Sequence, residues 1–294
     1  MAEPDELDEL LGFLSDKRAD VRGQAVEIVA GLTGSEAGID QLASKAATCI
    51  PRLLHLLGKP TEESKPAATA LVNLTALPEL ATLAVEKGAV ERAMEFLRDC
   101  ECAPPELLVM LLANVTKTEG GVHVFSQEGK SLEGFFVMKL VQMLAEGTPA
   151  QSYDHAASVL TNVTRHPVGR RVFLDPTRGL VRAALPSLLP SAAETRRVGV
   201  AAALRNCCVD DASRASLLAC PGRTAAGGGG GGHGTGPDTR EIAVVGFGKT
   251  GASGASEGTN PKPKPFNSQT VGPFFVIPTP YILDPEPGTL NPYR

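Results

Sequence analysis

From Asp5 to about Cys220, Leu-, Ala- and Val-rich segments of helical spacing alternate with short polar breaks. One local pattern recurs, a small-residue segment closing on Leu-x-Asn and a further small apolar residue. It reads ALVNLT at 70–75, LLANVT at 111–116, VLTNVT at 159–164 and ALRNCC at 203–208. A degenerate first copy, VAGLT at 29–33, has Gly31 where the others have Asn. From Gly31 to Asn73, Asn114, Asn162 and Asn206 the separations are 42, 41, 48 and 44 residues. Eleven residues beyond each marker stand Leu42, Ala84, Phe125, Phe173 and Leu217, anchors for a short helix. A second amphipathic helix follows, over 50–57, 90–97, 136–144 and 180–189, opened in two copies by Gly88-Ala89-Val90 and Gly179-Leu180-Val181. Glycine is a usual breaker between helices.

A period in the low forties, built from a short helix, a second helix and a long third helix, is that of armadillo or HEAT solenoids. The Leu-x-Asn ending and the Gly-x-Val opening resemble the armadillo consensus. The expected fold is therefore all-α, a right-handed armadillo/HEAT-like solenoid of four to five repeats over residues 1–220. Wound at about 100° per residue, positions −6, −5, −2 and +1 from each Asn share one face. Those positions are Ala67, Ala68, Leu71 and Leu74 in one copy and Leu108, Val109, Leu112 and Val115 in the next. That face predicts the core and turns Asn73, Asn114, Asn162 and Asn206 toward an open groove. There an Asn amide, donor and acceptor at once, suits the main chain of an extended peptide. The competing reading is that these Asn bond neighbouring backbone and hold the units in register.

Residues 221–294 differ in kind. They contain 16 Gly and 11 Pro, a six-glycine run at 227–232 and the proline-spaced segments 261–265 and 278–280. An aperiodic segment of that composition is expected to be disordered. It reads as a separate tail, with the character of translated intron or an alternative reading frame. Within it, Gly246-Phe247-Gly248-Lys249-Thr250-Gly251 fits the dinucleotide fingerprint after a strand-like 242–245. The following 252–261 is too poor in helix formers to receive a pyrophosphate, so the match is attributed to glycine content.

Charge and composition narrow the function. A net charge of −5 gives no general attraction to nucleic acid or anionic membrane, and no apolar run is long enough to span a bilayer. Residues 1–9 carry five acidic side chains and no basic one, the reverse of a secretory leader. Cys49, Cys100, Cys102, Cys207, Cys208 and Cys220 have neither zinc-finger spacing nor a C-x-x-C pair, and read as reduced, mostly core residues. Asn73, Asn114 and Asn162 each begin an Asn-x-Thr sequon, which the repeat explains without glycosylation. No His is set beside a partner Ser, Cys or carboxylate in a nucleophile motif. The expectation is a cytoplasmic protein, the nucleus being the alternative, without enzymatic activity, metal or cofactor. From 165 to 214 arginine outnumbers acidic residues, and Arg165, Arg170, Arg171, Arg178, Arg182, Arg196 and Arg197 form a candidate basic patch for an acidic partner surface. Positions four before each Asn are Thr69, Met110, Ser158 and Ala202. They lack the Trp that nuclear-import receptors of this fold place there.

The order of segments from Asp5-Glu6-Leu7 through DVRGQA at 20–25 to LRNCC at 204–208 resembles the eukaryotic Hgh-type armadillo family over residues 1–208. The resemblance implies a cytosolic folding co-chaperone that recognises translation elongation factor 2 and brings it to the cytosolic chaperonin; a monomer is expected. It also implies further helices after the Asn-Cys-Cys helix, where this chain enters its Gly/Pro-rich tail. A generic armadillo scaffold for trafficking or signalling is the alternative.

Overall fold

The computed structural model describes residues 5–98, 103–146 and 153–219. Within them the chain is a succession of α-helices with one 3-10 turn and no strand. The opening pair is α1 (Glu6–Phe13) and α2 (Ala19–Leu32). Four helix triplets follow: α3 (Glu36–Ser44), α4 (Ala46–Leu56) and α5 (Thr61–Leu74); then α6 (Pro78–Glu86), α7 (Ala89–Arg98) and α8 (Pro105–Val115). The third is α9 (Glu119–Ser126), α10 (Phe135–Glu146) and α11 (Ala156–Thr164). In the fourth, α12 (Pro167–Leu174) and α13 (Leu180–Ala184), extended by a 3-10 turn at Leu185–Leu188, lead to α14 (Glu194–Asn206). The last described helix is α15 (Asp211–Ala219).

Local chemistry sets the joints. Each short first helix starts where the unpaired N–H donors of its first turn are capped, or where proline removes the need for a cap. Ser35 and Thr118 accept from the backbone N–H of Gly38 and Gly121, while Pro78 and Pro167 occupy first-turn positions that need no N–H. Between first and second helices, Gly88 and Gly179 stand at φ +84° and +64°, the left-handed turn that only glycine adopts without strain.

Third helices stack on third helices: α2 packs on α5, α5 on α8, α8 on α11 and α11 on α14. The predicted core face is where the periodicity puts it. Ala67, Ala68, Leu71, Leu74, Leu108, Val109, Leu112 and Val115 are all fully buried. The first-helix anchors Leu42, Ala84, Phe125 and Phe173 are buried in the same continuous core, which Cys49 and Cys207 join without a disulfide. Burial pushes the Cys49 thiol up to about 12. Among the described residues no helix is long and apolar enough to cross a membrane. The expected tail disorder, the glycine-rich fingerprint at 246–251, and Cys100, Cys102 and Cys220 lie outside the described residues.

Candidate functional site

The marker asparagines do not line an open groove. Asn114 is fully buried, Asn73 is 1% exposed and Asn162 6% exposed; Asn206 is partly buried. Each points sideways at the preceding third helix, on one geometric plan. Asn114 Nδ2 donates to the Val72 carbonyl at 3.0 Å and approaches Thr75 Oγ1 at 3.5 Å. Asn162 Nδ2 donates to the Ala113 carbonyl at 2.9 Å and to Thr116 Oγ1 at 3.2 Å. Asn206 Nδ2 repeats this on the Thr161 carbonyl at 3.0 Å and Thr164 Oγ1 at 3.2 Å. Asn73 Nδ2 reaches Thr33 Oγ1 at 3.0 Å, in the degenerate first copy.

The acceptors explain the pattern. Val72, Ala113 and Thr161 sit in the last turns of their helices, where helical N–H donors run out and carbonyls need outside partners. The threonine two residues after Asn73, Asn114 and Asn162 turns its hydroxyl proton back onto its own helix. Thr75 donates to Leu71 O, Thr116 to Leu112 O and Thr164 to Leu160 O, leaving an oxygen lone pair for the next repeat's Asn. Each Asn-x-Thr triplet is thus one rung that receives from the following repeat and gives to the preceding one. The groove-facing placement expected from a single helical wheel is corrected here. A third helix is buried on two sides, against its own repeat and against its neighbour, and the wheel contained only the first. The competing register-holding reading is the one these hydrogen bonds support.

The candidate basic patch also comes apart. Arg170 is buried and bridges Asp210 at 2.9 Å while donating to the Thr164 and Arg165 carbonyls. Arg196 pairs with Asp154 at 2.9 Å and donates to Leu144 O. Arg171 pairs with Glu133, Arg178 with Asp175, and Arg197 donates to the Pro190 and Ala192 carbonyls. These five guanidinium groups fasten neighbouring segments to one another. Arg165 and Arg182 remain exposed. The partners are carboxylates and carbonyls some 3 to 52 residues distant in sequence, and a net count of charge does not show which arginines they engage.

What the row of third helices does present is its outer edge. Thr69, Ser158 and Ala202 are partly exposed, whereas Met110 is buried. At the first end of the row lies a groove of about 740 Å³ between α2 and α5, walled by Ala19, Gly23, Ile28 and Pro60 and rimmed by Glu27 and Glu62. Sequence reasoning did not single it out, because its walls come from segments about forty residues apart. Beneath the groove, Arg22 and Glu63 form a buried two-pronged ion pair, at 2.7 Å and 2.9 Å, that ties α2 to α5. Midway along the row, partly buried Lys117 donates to Asn114 Oδ1 at 3.3 Å, and burial brings its ammonium down to about 8. Desolvation likewise lowers His155 and His166.

A family model described as Domain of unknown function (DUF383) matches residues 97–222. The chain is 35% identical over 220 residues to the Protein HGH1 homolog of Xenopus tropicalis, covering 71% of this chain and 59% of that protein. It is 32% identical over 220 residues to the Homo sapiens Protein HGH1 homolog, covering 72% and 56%. Among solved structures it superimposes on a designed armadillo repeat protein, YIII(Dq)4CqI, with a TM-score of 0.60 at 16% identity, over 72% of this chain and 87% of that one. A second designed armadillo protein, solved in complex with the peptide (KR)4, gives 0.54 at 20% identity over 67% and 80%. The fold is thus armadillo-like, and through its helical repeats the chain resembles the HGH1 family while spanning 56–59% of the length of these relatives.

Proposed function

We propose that this chain is a non-enzymatic, protein-binding adaptor of the cytoplasm that assists the folding of translation elongation factor 2 by linking it to the cytosolic chaperonin. In this reading residues 1–220 are the working repeat domain, acting as a monomer, and 221–294 a separate tail. The observation that carries protein binding is the row of five third helices, α2, α5, α8, α11 and α14, fixed in register by the asparagine rungs. Solenoids use such stacked rows as extended binding surfaces. Kinship with the HGH1 homologs directs the choice of client. The second reading, a general armadillo scaffold for extended peptides, draws on the fold neighbour solved with a peptide.

Affinity capture from cytosol with the full chain separates them. Co-purification of elongation factor 2 with chaperonin subunits supports the adaptor. Recovery of other proteins, with neither of those two, favours the scaffold.

A further inference from the structure

We infer that the groove between α2 and α5 is a docking site for an extended, Lys/Arg-rich segment of a partner protein. The inference rests on the protein-binding reading above and adds the chemistry of what is bound. Of the four carboxylates around the groove, two are already committed. Glu63 is buried against Arg22, and Asp20 is paired with Arg18. Glu27 and Glu62 are exposed, and no cation among the described residues pairs with either. Two uncompensated negative charges therefore stand beside the apolar part of the cleft lining. Ile28, 54% exposed, is one of the few large apolar side chains left open to solvent, and it lines this cleft together with Pro60 and Ala19.

A cationic side chain is amphipathic in the matching sense. Its aliphatic stem lies on apolar surface while its head stays at the polar edge. Stems on Ile28 and Pro60, with heads at Glu27 and Glu62, satisfy both parts of the groove at once. An acidic or phosphorylated segment would meet the rim with like charge. A second copy of a chain with net charge −5 is similarly disfavoured. The cleft volume is in the range of about 300–1,000 Å³ usual for ligand pockets.

The test is fluorescence polarisation of the full chain with a labelled octapeptide of alternating Lys and Arg, an octapeptide of alternating Glu and Asp being the control. The basic peptide should bind and the acidic one should not. Glu27→Gln with Glu62→Gln should weaken binding at least about tenfold and flatten its salt dependence, and Ile28→Ser should weaken it without changing the salt slope. Arg165→Gln with Arg182→Gln should leave it unchanged. All these substitutions are at exposed side chains, and matching circular dichroism melts confirm folding. Equal affinity of the double glutamine variant, equal binding of the acidic peptide, or no binding by the parent chain overturns the inference. So does binding that emerges only after Lys262→Glu and Lys264→Glu, which would give the groove to the chain's own tail, or peptide-driven release of a dimer. Cytosolic capture by the double glutamine variant keeps the two readings apart. In that variant, retained elongation factor 2 with lost peptide binding moves the client to another face; in the parent chain, peptide binding without capture of elongation factor 2 removes the client and leaves the groove.

Discussion

Asn162→Ala removes one complete rung and nothing else of size. The side chain gives both amide protons to buried acceptors, Ala113 O at 2.9 Å and Thr116 Oγ1 at 3.2 Å. Each bond contributes about 0.5–1.5 kcal/mol net, and a buried acceptor left without a donor costs about 1–3 kcal/mol. The expected loss is therefore about 2–3 kcal/mol. For a helical region of this size that corresponds to a fall in melting temperature of about 4–12 °C. Asn162→Asp should be worse than alanine, because it turns a carboxylate toward a carbonyl that can only accept and a hydroxyl whose proton is already given to Leu112 O. Thr116→Val should cost less than Asn162→Ala, and the double variant should cost less than the sum, since both remove the same bond. Urea denaturation followed by helical circular dichroism gives the energies, and capture of elongation factor 2 by the folded fraction gives the function. If both Asn162 variants melt within about 0.5 kcal/mol of the parent and lose the client, the asparagine acts on the partner and the rung argument fails.

Four further outcomes follow from the packing. Arg22→Ala should destabilise by about 3–5 kcal/mol, by stranding Glu63 in a buried site, and the additional change Glu63→Met should recover much of the loss in the same denaturation assay. At Gly199 an added Cβ would lie 2.6 Å from the Ala157 Cβ and 2.8 Å from its backbone, so Gly199→Ala should wedge α11 from α14 and cost about 1–3 kcal/mol. Lys117, brought down by burial to about 8, holds its proton less readily when folded than unfolded. Its contribution to stability should therefore rise with pH from about 8 to the unfolded value of 10.5, and Lys117→Met should flatten that slope in pH-dependent melts. Finally, Cys49 should resist a thiol reagent at pH 8 in the native chain and react after denaturation, as the shift to about 12 requires.

The period and the apolar stripe were readable because they are local. Leu71 and Leu74, or Leu112 and Val115, mark their face whatever stands beside the helix. The direction of the asparagines was not, because it depends on what covers the flank of the helix. Asn114 is buried by residues of the preceding repeat, about forty positions away. The threonine after Asn73, Asn114 and Asn162 was visible as half of a sequon, yet its meaning as an acceptor exists only when two repeats are stacked. The arginines taught the same lesson. Arg170 and Arg196 read as surface charge in sequence and as a buried and a partly buried fastener in space, since Asp210 and Asp154 lie one repeat away. Glu27 and Glu62 gave no signal at all, because a groove is a property of two helices.

The rungs also have a direction. In every one the donor belongs to the later repeat and the acceptors to the earlier one, from Asn73 on Thr33 to Asn206 on Thr164. A ribosome delivers the chain in that same order. Each marker asparagine therefore emerges after its acceptors have been made, and its own threonine then completes the template for the next. The solenoid can be assembled as it is synthesised, every repeat closing on a finished edge, with no rung waiting for sequence still to come.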